Sequence, residues 1–111
     1  MSTHRESVDP MLDVLGHRHR RQLLAALSGR EPSSDPPTDV ASLVEVLAPE
    51  GHERRTRTEL LHCHLPKLDD IGYVRWERES GTVTRGPAWP AIEPLLGLLL
   101  EHRTELPDDV V

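Results

Sequence analysis

"LLHCHLPKLDDIGYVRW", Leu60 to Trp76, is the stretch whose reading decides the fold. His62, Cys63 and His64 have the look of metal ligands. Leu61, Leu65 and Leu68, with Leu60, His64 and Ile71 flanking them, keep the spacing of a helix instead. On an α-helix, residues two apart point roughly 200° from one another, so His62 and His64 cannot grip one ion together. On a strand they could, but the leucines do not alternate. His64 falls on the core side beside Leu60 and Leu68, which predicts a packed histidine with a backbone partner. His62 falls on the opposite face with Arg55 and Glu59.

Working outward, this helix runs from about Glu53 or Thr56 to Asp70 and stops at Gly72. Pro66 lies inside it, removes one backbone donor and should bend it, on the side away from the leucines. "YVRWERESGTVTRGP" then places Val74 and Trp76 on one face and Tyr73, Arg75 and Glu77 on the other. It turns at "ESG" into Thr82, Val83 and Thr84, a short β-hairpin. Upstream, the charged turn "APEGHERRTR" follows a helix capped by Thr38 or Asp39. In that helix Val40, Leu43, Val44 and Leu47 occupy the i, i+3, i+4 and i+7 positions of one face.

Closer to the N-terminus, a helix is expected after Asp9, with Pro10 at its first position and Met11, Leu12, Val14 and Leu15 along it. Gly16 interrupts it, and "HRHRRQLLAALSG" continues as a second helix with Leu23, Leu24 and Leu27 on one stripe. "GREPSSDPPT", with three prolines, reads as a loop too short to separate domains. "AWPAIEPLLGLLLEHRTEL" closes the chain as a helix carrying Ile92, Leu95, Leu96, Leu98, Leu99 and Leu100. Its apolar arc spans roughly 200°, about twice what packing on one core requires, so part of it must meet something else. The expected fold class is mainly α with a small β-hairpin (α+β). The expected organisation is a polar tail over residues 1–8, one domain over 9–104, and an acidic tail over 105–111.

Composition narrows the function. The chain has 111 residues and carries 19 acidic against 13 basic residues, for a net charge of −6; Lys67 is its one lysine. Such a balance usually argues against nucleic acid. Its bases cluster locally, however, and an acidic, lysine-poor, Phe-free chain resembles proteins of salt-loving archaea, which are acidic whatever they bind; a GC-rich genome is the rival explanation. There is no membrane-length apolar run and no signal-peptide core, so a cytoplasmic location is expected. Cys63 is the single cysteine, which excludes an internal disulfide and zinc modules built on paired cysteines. No carboxylate pair, nucleophile with base, or phosphate loop stands at a suitable spacing, so no enzyme, cofactor or small-molecule substrate is expected.

The order of elements, with "LGHRHRRQLLAAL" near the start and "HLPKLDDIGYV" near the middle, resembles the arsenical-repressor-type winged helix-turn-helix regulators, and more closely a haloarchaeal branch of them. The resemblance covers about Pro10 to Arg103. It implies a winged helix-turn-helix, with Val40 to Leu47 as the first helix of the pair and residues 56–70 as the recognition helix. It also implies that residues 73–85 form the wing and that the terminal helices make a homodimer through Leu12, Leu95, Leu96, Leu98, Leu99 and Leu100.

The function so implied is transcription regulation through double-stranded DNA. The first turns of a recognition helix meet base edges in the major groove. Arg55, Thr58, Glu59 and His62 face outward there, and Arg54, Arg57 and Lys67 flank them as phosphate contacts. Arg78 at the wing tip, with Arg75 and Arg85 behind it, would reach the adjacent backbone. His17, Arg18 and Arg20 form a second basic cluster at a helix start. Two alternatives stand beside this reading: a winged helix used for protein contact alone, and a metal-responsive repressor. Relatives sense metals through cysteines on the first helix of the pair, but "DVASLVEVL" has neither Cys nor His. A metal would have to join His62 or Cys63 to histidines such as His17 and His19. No metal ligand is assigned on sequence grounds.

Overall fold

Ser7 accepts a hydrogen bond from the Asp9 amide at 3.0 Å and so starts the first helix, α1 (Val8–Leu15). This is earlier than the expected Asp9 cap, and Pro10 stands at the third position, where its missing N–H costs nothing because first-turn amides have no intrahelical acceptor. The chain is described here by a computed structural model covering residues 7–29 and 38–111. The expected tail thus lies outside the described residues up to residue 6, and so do residues 30–37 of the proline-rich loop.

Helix α2 (Arg18–Ser28) buries Leu23, Leu24 and Leu27, the expected stripe. Its last carbonyls lack intrahelical donors; Arg85 supplies them, donating from Nε to the Leu27 carbonyl at 2.9 Å and from Nη2 to that of Ser28. Strand β1 (Thr38–Asp39) comes next. Asp39 caps helix α3 (Val40–Leu47) by accepting from the Ser42 amide at 2.8 Å, and Val40, Leu43, Val44 and Leu47 are all buried.

The decisive stretch is helical from end to end, but it is not a uniform α-helix. Helix α4 (Glu53–Glu59) passes into a π-helical turn (Leu60–His64) and then into α5 (Leu65–Ile71). The Leu65 amide bonds the Leu60 carbonyl, an i to i+5 contact that stacks these two leucines on one face. The buried stripe is therefore Leu60, His64, Leu65 and Leu68, with Leu61 only partly buried. This corrects the expected stripe, which centred on Leu61. The wider turn lies just before Pro66, whose ring nitrogen cannot donate, and takes up the register change that proline imposes.

Gly72 ends α5 at φ 93°. Its amide bonds the Asp69 carbonyl at 3.1 Å and the Tyr73 amide bonds the Leu68 carbonyl at 3.0 Å, a Schellman cap. Such a cap folds the following side chain onto the helix, and Tyr73 is 1% exposed; the expected strand face shared with Arg75 and Glu77 is corrected, because Tyr73 precedes β2 and is buried while those two are exposed. Strands β2 (Val74–Glu77) and β3 (Thr82–Arg85) form the expected hairpin, Val74 opposite Arg85 and Glu77 opposite Thr82. β1 adds to it, Thr38 pairing with Val83, and gives a three-stranded antiparallel sheet in the order β1-β3-β2. Gly86 is needed at the sheet's exit: its amide bonds the Tyr73 carbonyl at 3.0 Å, and an added Cβ would stand 2.4 Å from the Gly72 carbonyl oxygen.

Helix α6 (Trp89–Glu101) packs Trp89, Ile92 and Leu96 into the same core. Leu96 is 1% exposed, so it stabilises its own chain and is unavailable as a dimer contact. Leu95, Leu99 and Leu100 are partly buried against this core, while Leu12 and Leu98 remain more than half exposed. The acidic tail is also docked. Its turn (Asp108–Val110) offers the Val110 and Asp109 carbonyls to Arg21, at 2.6 and 2.9 Å. Leu106, Pro107 and Val110 then line a cleft of about 320 Å³ with Leu12, Leu15, Leu95 and Leu99. Part of the wide apolar arc of α6 is met from within the chain. The fold is thus mainly helical with a small antiparallel sheet, and no helix among the described residues is long and apolar enough to cross a membrane.

Candidate functional site

The exposed side of α4 follows from what its other side buries. Thr56 at 3% and Leu60 at 0% face the core, which turns Arg54, Arg55, Arg57 and Thr58 to solvent, with His62 following on the π turn. Thr58 donates to the Arg54 carbonyl at 3.0 Å, so its hydroxyl is committed to the helix. Glu59 lies between two partners: its Oε2 is 3.9 Å from Arg55 Nε, and its Oε1 is 3.7 Å from His19 Nδ1. Among the described residues Arg54 and Arg57 make no ion pair with any of the neighbouring glutamates.

Other expected contacts are occupied differently. Lys67 pairs with Asp13 at 2.7 Å, tying α5 to α1 and holding the Asp13 carboxyl below its ordinary range. Arg78, in the hairpin turn, lies over the Trp76 ring with Cζ 4.4 Å from its centroid, and Arg18 is exposed at the start of α2. Arg20 and Arg85 are structural. Arg20 donates to the Val14 carbonyl at 2.8 Å and the Asp13 carbonyl at 3.0 Å, and Arg85 closes α2. Neither guanidinium is presented as a phosphate ligand, which corrects their place among the basic candidates.

A second constellation was not assembled from sequence. His17, His19 and His64 converge, each offering a ring nitrogen within 4.8 Å of the others. Ring centroids stand 4.5 Å apart for His17 and His64, 5.5 Å for His17 and His19, and 5.9 Å for His19 and His64. His17 Nδ1 caps α2 by accepting from the His19 amide at 3.1 Å. His64 is 2% exposed, and its Nδ1 lies 3.4 Å from Arg20 Nη1. Among the described residues it has no backbone partner, contrary to expectation, and its Nε2, like His19 Nδ1, is buried without a hydrogen bond.

Burial first, then the fields of His17, Arg20 and His19, push the His64 pKa down to about 4. His17 is lowered too, by desolvation and then by Arg20 and His19, with Glu59 opposing. The "HCH" run therefore splits as the helical argument required, His62 and Cys63 exposed and His64 inside. The sequence signals that could have found the cluster are "HRH" at a helix start and the inward His64, but nothing local says that the two meet.

No curated protein and no solved structure matches this chain. Residues 12–84, which hold both the exposed face of α4 and the three histidines, match the model of DUF7344, a domain of unknown function, and the chain belongs to that family.

Proposed function

We propose that this protein is a sequence-specific DNA-binding transcriptional regulator: a winged helix-turn-helix acting as a homodimer, with a recognition helix of about residues 56–70 entering the major groove and the β2–β3 hairpin on the backbone. The observation that carries this reading is the two-sided character of residues 53–68. Leu60, Leu65 and Leu68 anchor the rod in the core. Arg54, Arg55, Arg57 and His62 stand exposed along it, where a groove-inserted helix needs bidentate and phosphate-seeking donors. Arg78, stacked on Trp76 at the hairpin turn, adds a cation for the flanking backbone. The exposed Leu98 and Leu12 support self-association, which would present two such helices to successive half-sites.

Net acidity works against phosphate binding, and counterion release weakens it further as salt rises. Binding must then rest on base contacts and shape rather than on bulk charge. Incubating the purified chain with fragmented genomic DNA at high potassium, then sequencing what is retained, tests the reading. Recovery of a recurring sequence is the expected result; recovery of none sinks it. The −6 charge favours a second reading, a winged helix that contacts only protein, and the same experiment returning no DNA would leave that one standing.

A further inference from the structure

We propose that His17, His19 and His64 form a binding site for a divalent transition-metal ion of the zinc class, with the fourth position left to water. The site stands apart from the DNA reading, since it needs only the packing of α2 against the π turn.

The geometry fits. Imidazoles on a tetrahedral ion at about 2.0–2.1 Å place their ring centroids roughly 5 Å apart, and the three separations here are 4.5, 5.5 and 5.9 Å. The donor nitrogens already lie within 4.8 Å of one another, so small side-chain rotations close them on an ion. Glu59 Oε1, 3.7 Å from His19 Nδ1, borders the cluster without joining the convergent set.

Two further observations point to a ligand. His64 is almost fully buried, yet among the described residues its Nε2 has no hydrogen-bond partner, and neither has the buried Nδ1 of His19. Buried polar atoms without partners are uncommon, and an ion is one of the things that accounts for them. His64 also ends the π turn, and such turns recur at functional sites because they re-aim one side chain without breaking the helix.

Chemistry selects the ion. Three imidazoles suit zinc, copper, nickel or cobalt, and not magnesium or calcium, which take oxygen ligands. Burial keeps His64 neutral near pH 7, so its lone pair is available without losing a proton to solvent. Arg20 only donates, so in the metal-free chain His64 Nδ1 accepts and the ring proton sits on Nε2. Ligation through Nε2 moves that proton to Nδ1 and gives up the long 3.4 Å contact, while Arg20 stays held by the Val14 and Asp13 carbonyls. At His17 the same exchange releases the His19 amide from Nδ1.

The full-length chain, treated with EDTA and free of DNA, should be titrated with Zn²⁺ by calorimetry and with Co²⁺ by visible absorption. One ion per chain is expected, with the intense ligand-field bands of low-coordinate cobalt and a rise in Tm of roughly 5 °C or more at saturating zinc. His17→Gln and His19→Gln lie outside the hydrophobic core, and because His17 also caps α2, circular dichroism of each metal-free variant is first matched to the parent. Each should weaken zinc binding by at least the ~10- to 100-fold that loss of even an outer-shell partner costs. Cys63→Ser should bind as the parent does. Absence of saturable binding overturns the proposal, and so does binding that survives both histidine changes or falls with Cys63→Ser, which would move the ion to the exposed "HCH" run. Because no DNA is present, none of these outcomes bears on the regulator reading.

Discussion

Arg55 tests the DNA reading with the least disturbance to the fold, because its side chain is 75% exposed and, among the described residues, pairs only with Glu59, at 3.9 Å. Arg55→Ala should weaken binding to a selected operator by about 1–3 kcal/mol and relax discrimination at one base position; an unchanged titration curve would count against its role. His64 makes a separate prediction about stability. An unfolded histidine titrates near 6.5, while folded His64 titrates at about 4. Between these values the unfolded chain holds more protons, so stability rises with pH through this window. The His64 contribution is fully present above about pH 6.5 and is lost as pH falls towards 4, on the order of 1–3 kcal/mol. Asp13 and Asp39, both lowered from 3.8, lose their contributions only at still lower pH. Urea unfolding of EDTA-treated protein at pH 7 and pH 5 measures this, and His64→Gln should reduce the difference, leaving the smaller share of His17, whose pKa is lowered too; a midpoint that does not move over that range removes the claim. That His64 faces inward was legible in the sequence, because it depends only on helical phase. Its partners were not, since they are set by how α2 crosses the π turn 44 residues away from Arg20.

Among the elements, glycines separate packing from propensity. Gly86→Ala would push a methyl against the Gly72 carbonyl oxygen at 2.4 Å and the Val74 backbone at 2.8 Å, none of which can rotate aside. It should cost about 1–3 kcal/mol or more by overpacking. Gly97, inside α6, meets nothing within 4 Å among the described residues, so Gly97→Ala should instead stabilise by about 0.5–1 kcal/mol through helix propensity. Thermal melts of the two variants that shift in the same direction would contradict this account. The helices α2, α3 and α6 and the hairpin could be read from the sequence because each carries its own period and stop signal. The strand β1 could not, since two residues show no alternation and its pairing with β3 is decided only when α3 docks. The π turn escaped for a related reason. Pro66 announced a disturbance, but whether it appears as a bend or a widened turn depends on which leucine the core accepts, and the core took Leu60.

At the scale of the whole molecule, the wide apolar arc of α6 is met in part from within its own chain. The docked tail meets part of it: Arg21 holds the Val110 and Asp109 carbonyls, and Leu106, Pro107 and Val110 lie along Leu95 and Leu99. Leu98, at 55% exposure, is left outside the cleft and Leu12, at 53%, stands at its edge, and under the regulator reading they are where a second copy packs. Leu98→Glu separates these roles. Substitution of so exposed a side chain changes folding stability by no more than about 0.5 kcal/mol if nothing covers it. Against a second copy, it buries a charge without a partner. Light scattering should therefore report a dimer for the parent chain and a monomer for Leu98→Glu, with circular dichroism unaltered. Leu96→Glu, one turn-face away and 1% exposed, should unfold the monomer itself. A parent chain that is monomeric at the concentrations used for DNA titration would remove the two-helix geometry from the proposed function, and with it the expectation of paired half-sites.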